Sequence, residues 1–338
     1  MRIGLVGYGL GGRLFHAPFI VSTPGCELAG VVTRSSERCT EVERDHPGVP
    51  VFDSLADLAA AGVDAVVIST PPTVRPTQVR EAIERRIPVL SDKPFALDMA
   101  EACELSKFAR QAGVPLCVYQ NRRWDSEFLT VRKLLDIGAL GQVHRFESRI
   151  EGWQDEDQGK TTGGGALRDI GSHQVDQALL LFGPVRSIYA EMTYIDDTLD
   201  CDYFISLQHR NGVRSHLWGS AIQHAPGPRF RVNGTEGCYR VEQLDGQAQA
   251  LFQGQMPAQL GERWGAEEHL RWGWLQRGED RELIPSEHGQ WPAFYCQWVA
   301  ALKGEAEMPV AMDEVLATQR VLDAARQSAA QGRVLTLM

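Results

Sequence analysis

Ile3-Gly4-Leu5-Val6, followed without a break by Gly7-Tyr8-Gly9-Leu10-Gly11-Gly12, decides the fold. An apolar run entering G-x-G-x-x-G is the strand, tight turn and helix start of a dinucleotide-binding unit. Gly7 permits the turn, Gly9 lets main chain approach a pyrophosphate, and Gly12 lets the helix close on the strand. The helix start then turns unpaired N–H groups and a positive dipole end towards the phosphates. Gly7, Tyr8, Gly9, Leu10 and Gly12 are therefore candidate cofactor-binding residues, with Tyr8 either bordering the nicotinamide or simply packing.

Outward from this turn, short apolar runs alternate with helical stretches. Ile3–Val6 is followed by Leu28–Val32, Val51–Phe52, Ala65–Ile68, Val89–Leu90 and Leu116–Tyr119, the rhythm of a parallel sheet. Arg75-Pro76 opens one helix, with proline at a tolerated position. Asp98 with Glu101 caps another that stops near Gly113. Pro18, a turn and a half into the first helix, should kink it.

Beyond residue 122 the rhythm changes. A helix near Asp125–Ile137 leads to an alternating strand with His144, Phe146, Ser148 and Ile150 on one face. The loop Gly163-Gly164-Gly165 precedes a helix to about Phe182. Strands follow near Ser187–Tyr194, Asp202–His209 and Val213–Ile222. A two-residue turn at Asn211-Gly212 would set His209 opposite Arg214 and His216 opposite Leu207. Residues 243–290 resist assignment, and an amphipathic helix spans about Glu314–Ala330. The expectation is an α/β chain. An N-terminal Rossmann domain, a doubly wound parallel sheet, takes 1–121. An α/β domain with a large, open, mostly antiparallel sheet takes 122–338.

The 338 residues carry a net charge of −10, with 43% hydrophobic and 23% charged residues, ordinary for a globular protein of two domains. There is no basic stripe to bind nucleic acid and no apolar run of membrane-spanning length. Seven scattered cysteines without a C-x-x-C pair, and nine histidines without H-x-x-x-H spacing, indicate neither a disulfide framework nor a metal site. A strand at the very start argues against a signal peptide, so the expected location is cytoplasmic.

After the second strand come Thr33-Arg34-Ser35, where an NAD site would place a carboxylate for the ribose 2′-OH. Arg34 can pair with a 2′-phosphate, the Thr33 and Ser35 hydroxyls can donate to it, and Arg38 stands one turn on. NADP is thus favoured over NAD; the other reading of Arg34 is a solvated loop arginine.

Asp92-Lys93-Pro94 closes the fifth strand, at the edge where such sheets bind ligands. A lysine there is otherwise a surface charge. Asp169 and His173 lie four apart at a helix start, a carboxylate able to orient an imidazole for proton transfer. A capping aspartate and a core histidine would look the same. Thr70-Pro71-Pro72 ends the fourth strand, beside the ribose or nicotinamide or as a plain turn. Asn121, Arg122 and Trp124, after the sixth strand, line a pocket or serve as linker. Asn121 and Arg149 suggest a pocket for hydroxyl-rich substrates. His16 has no partner legible in the sequence.

With these motifs together the chain resembles the Gfo/Idh/MocA oxidoreductases over nearly its full length. It is most similar to the NADP-dependent scyllo-inositol dehydrogenase branch. The residues carrying this are Gly7-Tyr8-Gly9-Leu10 with Phe15-His16-Ala17-Pro18, Asp92-Lys93-Pro94, Tyr119-Gln120-Asn121-Arg122-Arg123-Trp124-Asp125, and Asp169 with Gly171-Ser172-His173. The resemblance implies hydride transfer between a nicotinamide and a secondary hydroxyl or ketone of a cyclic polyol or sugar. It implies that Lys93 hydrogen-bonds the reacting hydroxyl, Asp169 positions it, and His173 is the general acid/base. Tyr119, Asn121, Trp124 and Arg149 join these as substrate-binding residues. Asp92, Asn121 and Arg122 join the cofactor-binding set with Thr70, Pro71 and Pro72. Asp92 departs from the glutamate of many members. A homodimer or homotetramer through the second sheet is also implied. Two other readings stay open: a non-catalytic NADP-binding regulator, and a reductase of a non-sugar ligand.

Overall fold

The computed structural model describes residues 1–153, 164–195 and 199–337, so Gly163 of the expected glycine loop lies outside the described residues. The chain forms two compact units. Met1–Tyr119 is joined in the first by Ala248–Trp264 and Trp291–Leu316; the second comprises Gln120–Gln247, Gly265–Gln290 and the chain from Ala317 onward.

The first unit is built on six parallel strands: β1 (Arg2–Val6), β2 (Glu27–Val32), β3 (Val51–Phe52), β4 (Ala65–Ile68), β5 (Val89–Ser91) and β6 (Leu116–Val118). Their order is β3-β2-β1-β4-β5-β6. The strands are apolar on both faces because helices cover both, and Ile3, Leu5, Val66, Val67, Val89 and Leu90 are fully buried. The order reverses between β1 and β4, the switch point where the glycine turn emerges.

That turn does not enter an α-helix directly. Gly11–His16 is a π-helical segment, and α1 (Ala17–Ser22) restarts after it, with His16 at φ −125° and Pro18 in its first turn. The expected kink is therefore a π segment and a restart. Pro18 has no N–H to give and its ring opposes a continuous ladder, so the helix begins anew where proline costs nothing.

The remaining helices of this sheet are α2 (Ser36–Asp45), α3 (Leu55–Ala60), α4 (Arg75–Glu84) and α5 (Met99–Ala112). Ser35, Ser54 and Asp98 cap α2, α3 and α5 by accepting from the N–H three residues on.

The second unit contains α6 (Ser126–Asp136), α7 (Ser172–Phe182) and a nine-stranded mixed sheet. Its strands are β7 (Val143–Glu151), β8 (Val185–Tyr194), β9 (Asp200–His209), β10 (Arg214–Ser220), β11 (Phe230–Gly234), β12 (Cys238–Val241), β13 (Gly273–Arg277), β14 (Asp280–Ile284) and β15 (Leu335–Thr336). They run in the order β14-β13-β12-β11-β7-β10-β9-β8-β15, antiparallel except for β7 beside β10. Alternation gives one inner face, with Phe146, Ile205, Leu207, Leu217, Val232 and Tyr239 packed against Phe128, Val131, Val175 and Ala178 of the helices. The stretch 243–290, opaque in sequence, supplies β13, β14 and short helices. The final long helix, Met312–Gln331, adds Val321, Leu322 and Ala325 to this core.

The hairpin register differs by one residue from that expected. Arg214 pairs with Gln208 and His216 with Ser206, while His209 N–H donates to Val213. The loop is three residues, not two, because Gly212 takes φ +93° as the left-handed residue closing a three-residue turn.

Candidate active site

In the first unit the glycine turn has the close approaches its motif requires. Gly7 stands at φ +97°, and a Cβ on Gly12 would lie 2.1 Å from the Gly7 carbonyl oxygen. Gly7 N–H donates to Val32 O, tying the turn to the end of β2. A Cβ on Gly9 would stand 3.5 Å from the Arg38 guanidinium, which itself donates to Tyr8 O. Gly7 and Gly12 thus pack backbone on backbone as the turn requires, and at Gly9 only the Arg38 side chain lies near where a Cβ would stand, an arrangement that fits a dinucleotide. Leu10 is exposed. Tyr8 packs inward, its hydroxyl 3.2 Å from Asp45. Burial and the Asp45 charge push that phenol well above its ordinary range, so Tyr8 offers a ligand main chain only.

At the end of β2, Thr33 Oγ1 accepts from Ser35 N–H and Ser35 Oγ accepts from Arg38 N–H, leaving both hydroxyl hydrogens to donate outward. Arg34 is exposed, and among the described residues no carboxylate pairs with it. Of the acidic groups of α2, Glu41 and Asp45 both bind Arg13, at 2.8 and 2.7 Å.

Thr70-Pro71-Pro72 forms the turn into α4, with Pro71 O accepting from the N–H groups of Val74 and Arg75. The Arg75 side chain, buried and unforeseen, reaches across to β5. It donates to Thr70 O and to the carbonyls of Asp92 and Pro94, one on each side of Lys93. The Asp92 carboxylate accepts the Lys93 N–H at 2.8 Å and the Ser69 hydroxyl at 2.8 Å. Lys93 is therefore held at the carboxyl end of the sheet by main-chain contacts on both sides.

His16 also finds its partners here. It is fully buried, with Nδ1 2.6 Å from the Tyr295 hydroxyl and Nε2 3.4 Å from Asp92. Burial alone would raise Asp92, but His16, then Arg75 and Lys93, outweigh it and hold the carboxyl well below its usual range. Tyr119 is buried among His16, Phe294 and Tyr295, with the His16 ring centroid at 4.4 Å. Its ring is committed to packing.

In the second unit the helix carrying Asp169 and His173 starts as a π turn, Leu167–Gly171, and becomes α7 at Ser172. Asp200 caps the π turn, its carboxylate accepting Leu167 N–H at 2.5 Å and Arg326 at 2.7 Å. His173 is buried, with Nδ1 3.1 Å from Gln120 Oε1. Gln120, Asp200 and Arg326, like Arg75, went unread in the sequence. They are polar residues among many, and only the fold sets Arg75 beside Lys93 in the first unit and Gln120 beside His173 in the second.

Asn121 is buried, and Arg122 pairs with Asp125 at 2.9 Å while its carbonyl accepts from Gln177 at 2.8 Å. Trp124 O accepts from Gln290 N–H. Arg149 lies 3.7 Å over the Trp218 ring and 3.1 Å from Glu147, on the sheet face opposite the helices. No helix is long and apolar enough to cross a membrane, and no group of three or more metal-binding side chains occurs, both among the described residues.

A glycine-rich turn at the switch point of a doubly wound parallel sheet is the signature of a dinucleotide-binding protein. Residues 1–120 match the model "Oxidoreductase family, NAD-binding Rossmann fold", and 132–337 match "Oxidoreductase family, C-terminal alpha/beta domain". The chain belongs to the Gfo/Idh/MocA oxidoreductase family and is a dehydrogenase.

It is 30% identical over 348 residues to scyllo-inositol 2-dehydrogenase (NADP(+)) IolW of Bacillus subtilis, covering 100% of this chain and 96% of that protein. It is 34% identical to the uncharacterized oxidoreductase YdgJ of Escherichia coli, covering 100% and 99%. The oxidoreductase yvaA of Bacillus subtilis superposes with a TM-score of 0.92 at 30% identity, over 100% of this chain and 98% of that one.

Proposed function

We propose that the protein moves hydride between NADP and a secondary hydroxyl or ketone of a cyclic polyol or sugar of inositol type. The observation that carries this reading is the fixing of Lys93 at the end of β5, its flanking carbonyls bound by Arg75 and its N–H by Asp92. A lysine serving only as surface charge needs no such support. The relative named for scyllo-inositol and NADP(+) supports the substrate class.

When bound, the nicotinamide supplies the hydride acceptor or donor. Gly7, Gly9 and Gly12 would hold its pyrophosphate, with Leu10, Thr70, Pro71, Pro72, Asn121 and Arg122 as further contacts. Arg34, Arg38, Thr33 and Ser35 would take the 2′-phosphate. In oxidation His173 accepts the hydroxyl proton, Lys93 stabilises the developing alkoxide, and Asp169 positions the hydroxyl. In the reverse direction the same groups protonate the ketone oxygen. Trp124 completes the proposed substrate contacts; Tyr119, packed among His16, Phe294 and Tyr295, and Arg149, on the sheet face away from α7, drop out of the expected set.

The test follows reduced-cofactor absorbance across inositols, aldoses and keto-sugars with both NAD and NADP. Turnover on a cyclic polyol or sugar with NADP is expected. Tight NADP binding with no turnover on any of them would replace this reading with a non-catalytic binder. Arg34→Asp should move the preference towards NAD, since a carboxylate repels a 2′-phosphate and accepts from a 2′-OH. An unaltered ratio of NADP to NAD turnover would refute the role given to the end of β2.

A further inference from the structure

A single segment of chain, residues 120–123, contacts His173 and the turn of α7 that follows it. Gln120, two residues past the end of β6, opens a short 3-10 turn, Asn121–Trp124. From this segment three groups meet three residues on one face of α7. Gln120 Oε1 lies 3.1 Å from His173 Nδ1, Arg123 binds Asp176 through two nitrogens at 2.7 and 2.6 Å, and Arg122 O accepts from Gln177 at 2.8 Å. The next residue of α7, Gln174, donates to Ser148 O, Ser148 Oγ and Trp218 O, each at 3.0 Å. The helix that carries the imidazole is thus fixed, and the amide oxygen meets one chosen ring nitrogen.

An amide oxygen can only accept. The nitrogen facing it must carry the hydrogen, which leaves the lone pair on Nε2. A carboxylate in the same place would select the same tautomer, but it would also stabilise the imidazolium. The amide selects without adding charge. Charged groups on these segments are Arg168, Asp169, Asp176, Arg122, Arg123 and Asp125, of which Arg123 pairs with Asp176 and Arg122 with Asp125.

We propose that Gln120 is a positioning residue, holding the His173 ring as the Nδ1–H tautomer so that Nε2 is the atom that takes and returns the proton. The inference rests on the role given to His173 above and names the residue that orients it. A neutral partner suits an acid/base that works in both directions, because it does not hold the proton once taken.

The test is nitrogen NMR of the full chain labelled with 15N-histidine, the His173 signals being identified by their loss in His173→Ala. Above the imidazole titration, wild type should show hydrogen on Nδ1 and a lone pair on Nε2. Gln120→Leu should lose that pattern and lower kcat by roughly 10–100-fold, the usual cost when an imidazole loses its orienting partner, with cofactor KM little changed. Gln120→Glu keeps an acceptor, so it should keep the tautomer and move the His173 midpoint and the pH profile of kcat up by about one unit.

An Nε2–H tautomer in wild type would overturn the proposal, as would a Gln120→Leu spectrum indistinguishable from wild type. So would an unmoved pH profile in Gln120→Glu. If His173→Ala retains near-normal turnover, the proton-transfer role fails instead, whatever the tautomer. Loss of activity in His173→Ala with both Gln120 variants behaving as wild type would sink the positioning role alone.

Discussion

Lys93 shows how a residue of ordinary type is made specific by its surroundings. Its main chain is clamped by Arg75 on the carbonyls to either side and by Asp92 on its N–H, so the ammonium is delivered from a fixed root. Asp92 is in turn held by Ser69 and faces His16. If Lys93 stabilises a developing alkoxide, Lys93→Met keeps the stem and removes only the charge. Turnover should then fall by about two to three orders of magnitude, the usual cost of losing one oxyanion donor. Cofactor affinity, read by direct fluorescence titration, should hardly change. Normal turnover would mean that Lys93 is a structural terminus of β5. Arg75 itself was invisible as a site residue, because nothing local distinguishes a buried arginine at a helix start from an exposed one.

At the scale of elements, the π turn that opens the His173 helix carries a testable strain. Gly165 stands at φ +100°, and a Cβ there would lie 2.1 Å from Asp200 Oδ1, the carboxylate that caps Leu167. Gly165→Ala should therefore destabilise the protein by roughly 1–3 kcal/mol and lower turnover, since Asp169 and His173 ride on that turn. Urea midpoints equal to wild type would show that the loop adapts and that the cap is dispensable.

What the sequence disclosed follows the same division between local and distant causes. The glycine turn, the six short strands, the cap at Asp98 and the helix start at Arg75-Pro76 were legible because their physics lies within a few residues. The break at Pro18 was legible for the same local reason, whereas the three-residue hairpin was misjudged because it turns on one φ angle, at Gly212. The partners of His16 and His173 were hidden because they lie far along the chain, Tyr295 being 279 residues from His16. Lys93, Asp169 and His173 could be named from motifs, but Arg75, Gln120 and Asp200 could not.

At the scale of the whole molecule, two properties of the second unit reach beyond the site. Glu127 and Arg229 are both buried and paired at 2.9 Å, with Asp125, Asp245 and Arg122 close by in charge. Burial, then the Asp125 charge, pushes the Glu127 carboxyl up to about 7 from 4.5, against the pull of Arg229. A raised folded pKa means the folded state holds a proton that the unfolded chain has released. The stabilisation is full below about 4.5 and is lost as pH rises through about 7. Glu127→Gln mimics the protonated form and keeps an acceptor for Arg229. Its stability relative to wild type should therefore improve between about pH 4.5 and 7 and level off above that in urea titrations; a constant difference would refute the shift.

The second property is the open face of the nine-stranded sheet. Register places Phe204, His216, Trp218, Arg149, Glu147, Arg231, Arg240 and Trp274 on that one side, while the helices pack on the other. Arg149 lies over Trp218 at 3.7 Å and Arg281 over Trp274 at 4.1 Å, so the aromatics are flat, half-buried and framed by charge. Such a mixture of aromatic and arginine side chains is the composition of an interface core with a polar rim. We propose that two copies pair through this face as a homodimer, or as a homotetramer built from such dimers. Trp218→Glu would set a carboxylate in the middle of this face, and should halve the mass seen by light scattering or shift it strongly towards the monomer. The inner face would be untouched, so far-UV circular dichroism should stay as in wild type. An unchanged mass for a folded Trp218→Glu protein would move the interface elsewhere, and a monomeric wild type would remove it.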